Sequence, residues 1–568
     1  MYNSLAAQST AMNPTDKFLA ARKVLLDNRE DYEKAHREFR WPEFTDFNWA
    51  RDWFDVYAQG NGKAALWLRS ETKGEFRYTY EQMAERSDRV AHFLQRQGVE
   101  PGDRIVLCLP NVPAIWELIL AAIKIGAVIV PTTTLATEAE IQDRLERSQP
   151  RMIVTDESVM GRIPANAQLK KILTGQRTEG WIQYELALEE DRSYKKIATK
   201  ATDPFLLYFT SGTTAKSKLV LHTQESYPIG HLSTMYWIGI REDDLHQNIS
   251  SPGWAKHAWS CVFAPWNAGA TTFVHDQPRF KTANALRVLE ECGVTTLCAP
   301  PTVWRMMIRD ELGARPRGLR ELASAGEPLN PEVIEQVEEA WGLTIRDGYG
   351  QTESTAMVGN SPGQKVRIGS MGRPLPGYEI AIVDMNDQPC EEGEVAVRLQ
   401  LRPTGLMIGY MDDPERTKAA MQNGLYHTGD QALLDNDGYF FFVGRGDDVF
   451  KCSDYRISPF ELESALMEHP LVAEVAIVPS SDPIRTNVPK AFITLVGDAQ
   501  PSEKVASEIL LFAKQKLASY QRVRKLEFRE LPKTISGKIR RAELRKMEAQ
   551  RVHEGKRGDL EFWLKDFE

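Results

Sequence analysis

Between about Lys63 and Val443, short apolar runs such as Arg104-Ile-Val-Leu-Cys108, Met152-Ile-Val154 and Thr271-Thr-Phe-Val274 alternate with helix-patterned segments, among them Tyr80 to Gln97 and Glu138 to Ser148. That alternation restricts the chain to an α/β body in which helices cover strands. A single core cannot absorb 568 residues, so about three to four domains or subdomains are expected. Residues 1–60 are rich in charge and in aromatic residues (Phe39, Trp41, Phe44, Phe47, Trp49, Trp53, Phe54) and are read as a helical extension lying across the body. After Gly444-Arg445-Gly446 the pattern changes. Helix signals at Pro459 to His469 and Val505 to Leu517 mix with strand-like runs at Val472 to Pro479 and Ala491 to Val496, which predicts a small α+β unit. The expected organisation is a large body over 1–443, a hinge over 444–448 and a small domain over 449–568.

Charge and cysteine usage narrow the function classes. A formal charge of -9 argues against a dedicated nucleic-acid binder, which would show a basic surface. The six cysteines have no ligand-pair spacing and read as free thiols in a reducing compartment. The most apolar stretch, Ala114 to Val130, is interrupted by Glu117 and Lys124 and reads as a core helix followed by a strand, not as a membrane span. Met1 to Phe18 lacks the basic and apolar regions of a secretory signal, so the cytoplasm is the expected compartment.

Three separated segments carry chemistry. Thr210-Ser211-Gly212-Thr213-Thr214-Ala215-Lys216-Ser217-Lys218 follows the apolar run Phe205 to Phe209 and offers hydroxyls, amides and lysines suited to cradling a polyphosphate. It is not a Walker loop, because no Gly-Lys-Ser/Thr closes it. Tyr349-Gly350-Gln351-Thr352-Glu353 follows the helix pattern Pro331 to Trp341 and supplies the hard oxygen that a magnesium ion on ATP prefers, with Glu353 as the metal-side candidate. Lys533-Thr-Ile-Ser-Gly-Lys-Ile-Arg-Arg541 presents Lys538 after a Ser-Gly turn, where an ammonium can meet a developing anion.

With Tyr426-His-Thr-Gly-Asp430 and Val443-Gly-Arg-Gly-Asp-Asp-Val-Phe-Lys451 added, the chain resembles the AMP-forming acyl-CoA synthetases of the acyl-adenylating (ANL) superfamily, over about Tyr78 to Arg545. Its wording is most similar to medium-chain or aryl acyl-CoA synthetases. The resemblance implies a multi-subdomain adenylate-forming body with a small mobile C-terminal domain. It also implies two half-reactions, in which a carboxylate attacks the α-phosphate of ATP and the thiol of coenzyme A then displaces AMP. Mg²⁺, Lys218 and Lys538 would offset the repulsion between the two anions. Thr210 to Lys218 would cover the β- and γ-phosphates, with Thr352 and Glu353 by the α-phosphate and metal. Gly326-Glu327-Pro328 and Asp347-Gly348-Tyr349 would border the adenine, with Gln351 in the same nucleotide site. Asp430 would accept from both ribose hydroxyls, Arg445 would help hold the ribose, and Asp447 matches the hinge position. Ser453, Asp454, Tyr455, Arg456, Arg485, Tyr520 and Arg522 fall where related enzymes meet coenzyme A.

The acyl pocket is expected around Trp254, Lys256, His257 and Trp259. Acetate-using relatives carry a tryptophan at the position matching Gly350, so glycine there predicts acids larger than acetate, whether medium-chain, branched or aryl. Lys256 and His257 are candidate recognition groups for a polar tail; the alternative is that Trp254 and Trp259 are plain core and Lys256 points to solvent. Three departures from the superfamily pattern stand out: Ala215 for glycine, Ser217 for proline, and Asp454 for glycine in the Ser-Gly-Tyr-Arg pattern. The first two predict an altered ATP loop, and the third places a carboxylate near the pantetheine passage. The alternatives to a coenzyme A ligase are an adenylating ligase with another acceptor and a non-turnover nucleotide-binding homologue. A monomer or homodimer is expected, with no nucleic-acid or integral membrane partner.

Overall fold

The apolar runs become the strands of two large sheets, with the helix-patterned segments packed over them. The computed structural model describes residues 12–164, 167–210, 217–310, 312–453, 455–483, 485–497, 499–534 and 538–567. Among the described residues one sheet has nine strands and a second has eight. The nine-stranded sheet has a parallel centre, Leu245–Asn248, Thr271–Asp276, Thr296–Ala299, Glu321–Ala325 and Ile345–Gly350. Its strands end at the segments that carry Gly326 and Gln351, which is where open α/β sheets bind ligands. In the eight-stranded sheet, Pro204–Thr210 and Lys218–Thr223 form an antiparallel hairpin with Thr210 opposite Lys218. The stretch between them, Ser211 to Lys216, lies outside the described residues.

Local signals set the helix ends. Thr79 and Gln82 form a capping box at the start of Tyr80–Arg96, satisfying two otherwise unpaired amides. Pro331 opens Pro331–Trp341 and Gly342 closes it at φ +65°, the asymmetry expected of a helix with proline inside its start and glycine past its end. The apolar stretch forms the helix Ala114–Ile125 and the strand Val128–Pro131. Its two charges are fully buried but paired. Glu117 meets Arg86 at 2.7 Å, and Lys124 meets Asp55 at 2.8 Å and Asp88 at 2.6 Å, as buried ions must. Among the described residues no helix is long and apolar enough to cross a membrane.

The N-terminal helices Pro14–Asp27 and Tyr32–Glu38 join the main core. Trp49 packs against Phe263 and Trp266, and its indole N–H donates to Asn267 Oδ1 at 2.8 Å. The aromatic extension therefore braces the segment Trp259–Ala268 from behind.

A third sheet pairs Leu425–Leu434 with Phe440–Arg445, placing Asp430 opposite Arg445. Arg445 therefore still belongs to a body strand, and the connection to the next strand, Phe450–Cys452, begins at Gly446. From Phe450 onward the chain has its own hydrophobic core, with Leu462, Ile477, Ile493, Ile509 and Leu526 buried in it. Nearby, Glu527, Glu548 and Glu561 have the spacing of a metal site. The Lys490 ammonium occupies their centre at 2.9, 2.6 and 2.8 Å, so the triad is satisfied by an internal ion pair.

Candidate active site

A cleft of about 1450 Å³ separates the body from the small domain. Its lining includes Ser217, Trp254, Gly326, Glu327, Pro328 and Arg445 from the body and Lys533, Thr534 and Lys538 from the small domain. Lys538, some hundred residues from the ribose candidates in sequence, thus faces the same space as Arg445. The Lys533–Ile539 bridge and the bond from Thr534 N to Lys538 O, at 2.7 Å, tighten the turn that presents it.

A continuous polar wall lies beside the cleft. Lys218 Nζ stands 3.5 Å from Glu353 Oε1, and the Tyr410 hydroxyl donates to the same oxygen at 2.9 Å. Tyr426 donates to Gln351 Oε1 at 2.7 Å, while Gln351 Nε2 donates to Asp430 Oδ2 at 2.6 Å and to the Thr428 carbonyl at 2.9 Å. The Tyr349 hydroxyl also donates to Asp430 Oδ2 at 2.6 Å, and Arg445 Nε lies 3.1 Å from Oδ1. Lys218, Glu353 and Asp430, drawn from three distant segments, are therefore parts of one wall.

Burial raises the pKa of the Asp430 carboxyl, while Arg445, Tyr349 and Gln351 oppose that rise. Burial and the neighbouring Asp430 push the Tyr349 hydroxyl far above the ordinary tyrosine value, fixing it as a neutral donor. In the Asp347-Gly348-Tyr349 segment, Asp347 is pushed up to about 7 by burial, though the Gly348 amide donates to it at 2.9 Å. Behind Thr352, the buried His222 ring nitrogen bonds the Thr352 carbonyl at 2.8 Å. Burial lowers His222 to about 4, so it is neutral and positions the loop without adding charge.

Glu353 supplies the hard oxygens a magnesium ion would need. One of its oxygens is used by Tyr410 and Lys218; the other has no partner among the described residues. The donor chemistry therefore fits the ion.

Trp254 lines both the main cleft and a small apolar cavity of about 30 Å³, and His257 turns into that small cavity with Leu107, Ile119 and Phe205. Burial lowers His257 to about 3, so it stays neutral there. Lys256 is partly buried and donates to the Ala325 carbonyl at 3.0 Å, directly before Gly326. A Cβ at Gly350 would lie 2.6 Å from the Trp259 ring and 2.2 Å from the Thr355 carbonyl oxygen. The space released by glycine at 350 is thus filled from the chain segment that carries Trp259, and the wall comes from a different position.

The coenzyme A candidates lie apart from the cleft. Tyr455 and Tyr520 stack at 4.5 Å on an exposed face, and Arg456 donates to Gln431 at 3.1 Å. The Ser453 amide donates to the Arg485 carbonyl at 2.8 Å, and Arg522 Nε is buried without a partner among the described residues. The left-handed backbone in this motif falls on Ser453, at φ +55°; Asp454 lies outside the described residues, as do Ser211, Gly212, Thr213, Thr214 and Ala215. Ser217 is described, and Arg147 donates to its carbonyl at 2.9 Å. Asp447 lies 4.0 Å from Arg445 and 3.9 Å from Arg545. Tyr410 and His222 escaped the sequence reading. Neither lies in a motif, and only strand pairing brings them to Glu353 and Thr352.

Comparison with known proteins bears on the family and the fold. A profile described as AMP-binding enzyme matches residues 54–411, and one described as AMP-binding enzyme C-terminal domain matches 461–538. The 4-hydroxybutyrate–CoA ligase 1 of Metallosphaera sedula is 44% identical over 91% of this chain and 93% of its own. The mitochondrial acyl-coenzyme A synthetase ACSM3 of Mus musculus is 38% identical over 93% of this chain and 95% of its own. Among solved structures, the anthranilate CoA ligase AuaEII with anthranoyl-AMP superposes with a TM-score of 0.79 at 26% identity, covering 90% of this chain and 98% of that one.

Proposed function

The chain belongs to the AMP-binding enzyme family, and on that premise we propose that it is an acyl-CoA ligase that activates a carboxylic acid larger than acetate through an acyl adenylate. One observation carries the proposal. Lys538 of the small domain and Arg445 of the body line a single cleft; Arg445 is paired with Asp430, and Ser217, the neighbour of Lys218 in the Lys218–Glu353 pair, lines the same cleft. The relatives that span nearly the whole chain are themselves named CoA ligases and acyl-CoA synthetases.

In the first half-reaction a carboxylate oxygen bonds to the α-phosphorus of ATP and the bond to pyrophosphate breaks. Two anions must meet, so the residues act by charge and position. Lys218 and Lys538 neutralise phosphate oxygens, and the acid needs no base because its free pKa lies below neutrality. Asp430, held by Tyr349, Gln351 and Arg445, presents acceptors to the ribose. Magnesium, when bound, supplies further phosphate neutralisation, with Glu353 as the residue that would hold it. In the second half-reaction the sulfur of coenzyme A bonds to the acyl carbon, AMP leaves and the thiol proton passes to solvent. Ser453, Tyr455, Arg456, Arg485, Tyr520 and Arg522 serve that step after the small domain turns about Asp447. The present arrangement, with Lys538 in the cleft and the Tyr455–Tyr520 stack outside it, suits the first step. The cytoplasm is the compartment this reading assigns, supported by six free cysteines.

The test is Lys538→Ala. Acid-dependent pyrophosphate release should fall by at least about 100-fold, the scale of a lost transition-state charge contact, while thioester formation from supplied acyl adenylate persists. Equal loss in both halves would refute the role of Lys538.

A further inference from the structure

Lys256 is an unusual group to find at an acyl site. It lies on the short turn Ala255–Ala258, beside Trp254 of the cleft lining, and its ammonium reaches the residue before the adenine-bordering Gly326. Desolvation lowers its pKa, and Cys298, Glu327, Asp347 and Lys538 lie close enough for their charges to act on it. Among the described residues its one hydrogen bond is to the Ala325 carbonyl, and no carboxylate pairs with it. An ammonium has three donors, so two remain free. Burying a cation without a counter-charge is costly, and elsewhere in this molecule buried lysines are paired: Lys124 with two aspartates and Lys490 with three glutamates. Lys256, partly buried and two residues from Trp254 of the cleft lining, has no such partner among the described residues.

The surroundings define what would complete it. Glu327 and Asp347 already place acidic groups near the ammonium, so a neutral oxygen acceptor fits better than a second carboxylate. Length is limited as well. Trp259 closes against Gly350, and the apolar cavity beyond Trp254 has about 30 Å³, room for one or two water-sized groups.

Resting on the acyl-CoA ligase reading, we propose that Lys256 selects a short carboxylic acid bearing a hydroxyl at its far end, with Trp259 setting the permitted length. The free ammonium donors bond the tail hydroxyl, and an acid without it leaves them unpaired. A site built to bond a substrate hydroxyl rejects the analogue lacking it far more strongly than an apolar pocket rejects one methylene.

The experiment measures kcat/KM for coenzyme A-dependent AMP release with 4-hydroxybutanoate, butanoate, succinate and octanoate, in wild type and Lys256→Met. Wild type should prefer 4-hydroxybutanoate over butanoate by at least about 10-fold, as expected for a hydrogen bond from a charged donor. Lys256→Met should shrink that ratio by about 10-fold or more. A wild type that prefers butanoate or octanoate overturns the proposal whether or not the variant folds. Preference for succinate overturns the neutral-acceptor assignment. Loss of 4-hydroxybutanoate and butanoate in equal proportion shows that Lys256 acts on their shared carboxylate or on the fold, and also overturns it. These outcomes leave the ligase reading standing; only wild-type silence on every acid removes that reading, and this proposal falls with it.

Discussion

Replacing Gly350 by alanine probes the acyl wall with a single carbon. The new Cβ would lie 2.2 Å from the Thr355 carbonyl oxygen and 2.6 Å from the Trp259 ring. Neither neighbour gives way easily. The Thr355 hydroxyl donates to the Gly230 carbonyl at 2.8 Å and bonds the Tyr378 hydroxyl at 2.7 Å, while Trp259 is buried against His231. Overpacking a filled core costs about 1–3 kcal/mol, and a clash with backbone points to the upper half of that range. At about 2–4 °C per kcal/mol, Gly350→Ala should melt about 4–12 °C below wild type in scans at one fixed rate. Trp259→Leu in the same background removes the ring contact but not the carbonyl contact. It should return part of the loss, with a coupling of about 1 kcal/mol in the double-mutant cycle. A Gly350→Ala protein that melts within about 1 °C of wild type and shows no coupling to Trp259→Leu would refute this packing.

Two further outcomes follow from contacts outside that wall. Arg309 donates to the Val472 and Ala473 carbonyls of the small domain at 3.3 and 3.2 Å; losing about 1 kcal/mol there should slow acid-dependent pyrophosphate exchange in Arg309→Ala by about fivefold without slowing thioester formation from supplied adenylate, and equal slowing of both would contradict the docking role. Burial holds His222 and His246 at about 4 and His257 at about 3, whereas an unfolded histidine titrates near about 6.5. Between those values the unfolded chain binds more protons, so stability should be flat above about pH 7 and fall as pH drops below about 6.5, by up to about 1.4 kcal/mol per pH unit per histidine. Urea unfolding from pH 7.5 to 5 checks this, and unchanged stability would mean these rings are not buried neutral.

Segments with strong local periodicity were legible from the sequence. Pro331–Trp341, Glu138–Ser148 and Arg104–Cys108 form where their patterns place them, because each buries a face defined by its own spacing. Lys218, Glu353, Asp430 and Arg445 each lie in a distinctive local wording, and the fold brings them into the pairs Lys218–Glu353 and Asp430–Arg445. Their other partners were not legible. Tyr410 reaches Glu353 only because Gly409–Tyr410 pairs with Lys218–Thr223 across nearly two hundred residues. Gly350 shows the other limit, for a missing side chain at one position says nothing about which distant side chain fills the space.

The sequence by itself determined the alternating α/β body and the separate α+β unit. Those follow from local periodicity and short-range wording, which act within a few turns of chain. Only the tertiary structure decided that Trp259 closes the wall at Gly350, that partly buried Lys256 has no carboxylate partner among the described residues, and that Lys538 faces the cleft while the Tyr455–Tyr520 stack stays outside it. Each depends on which distant segments pack together, and packing is set by shape and desolvation over the whole core rather than by any one stretch of residues.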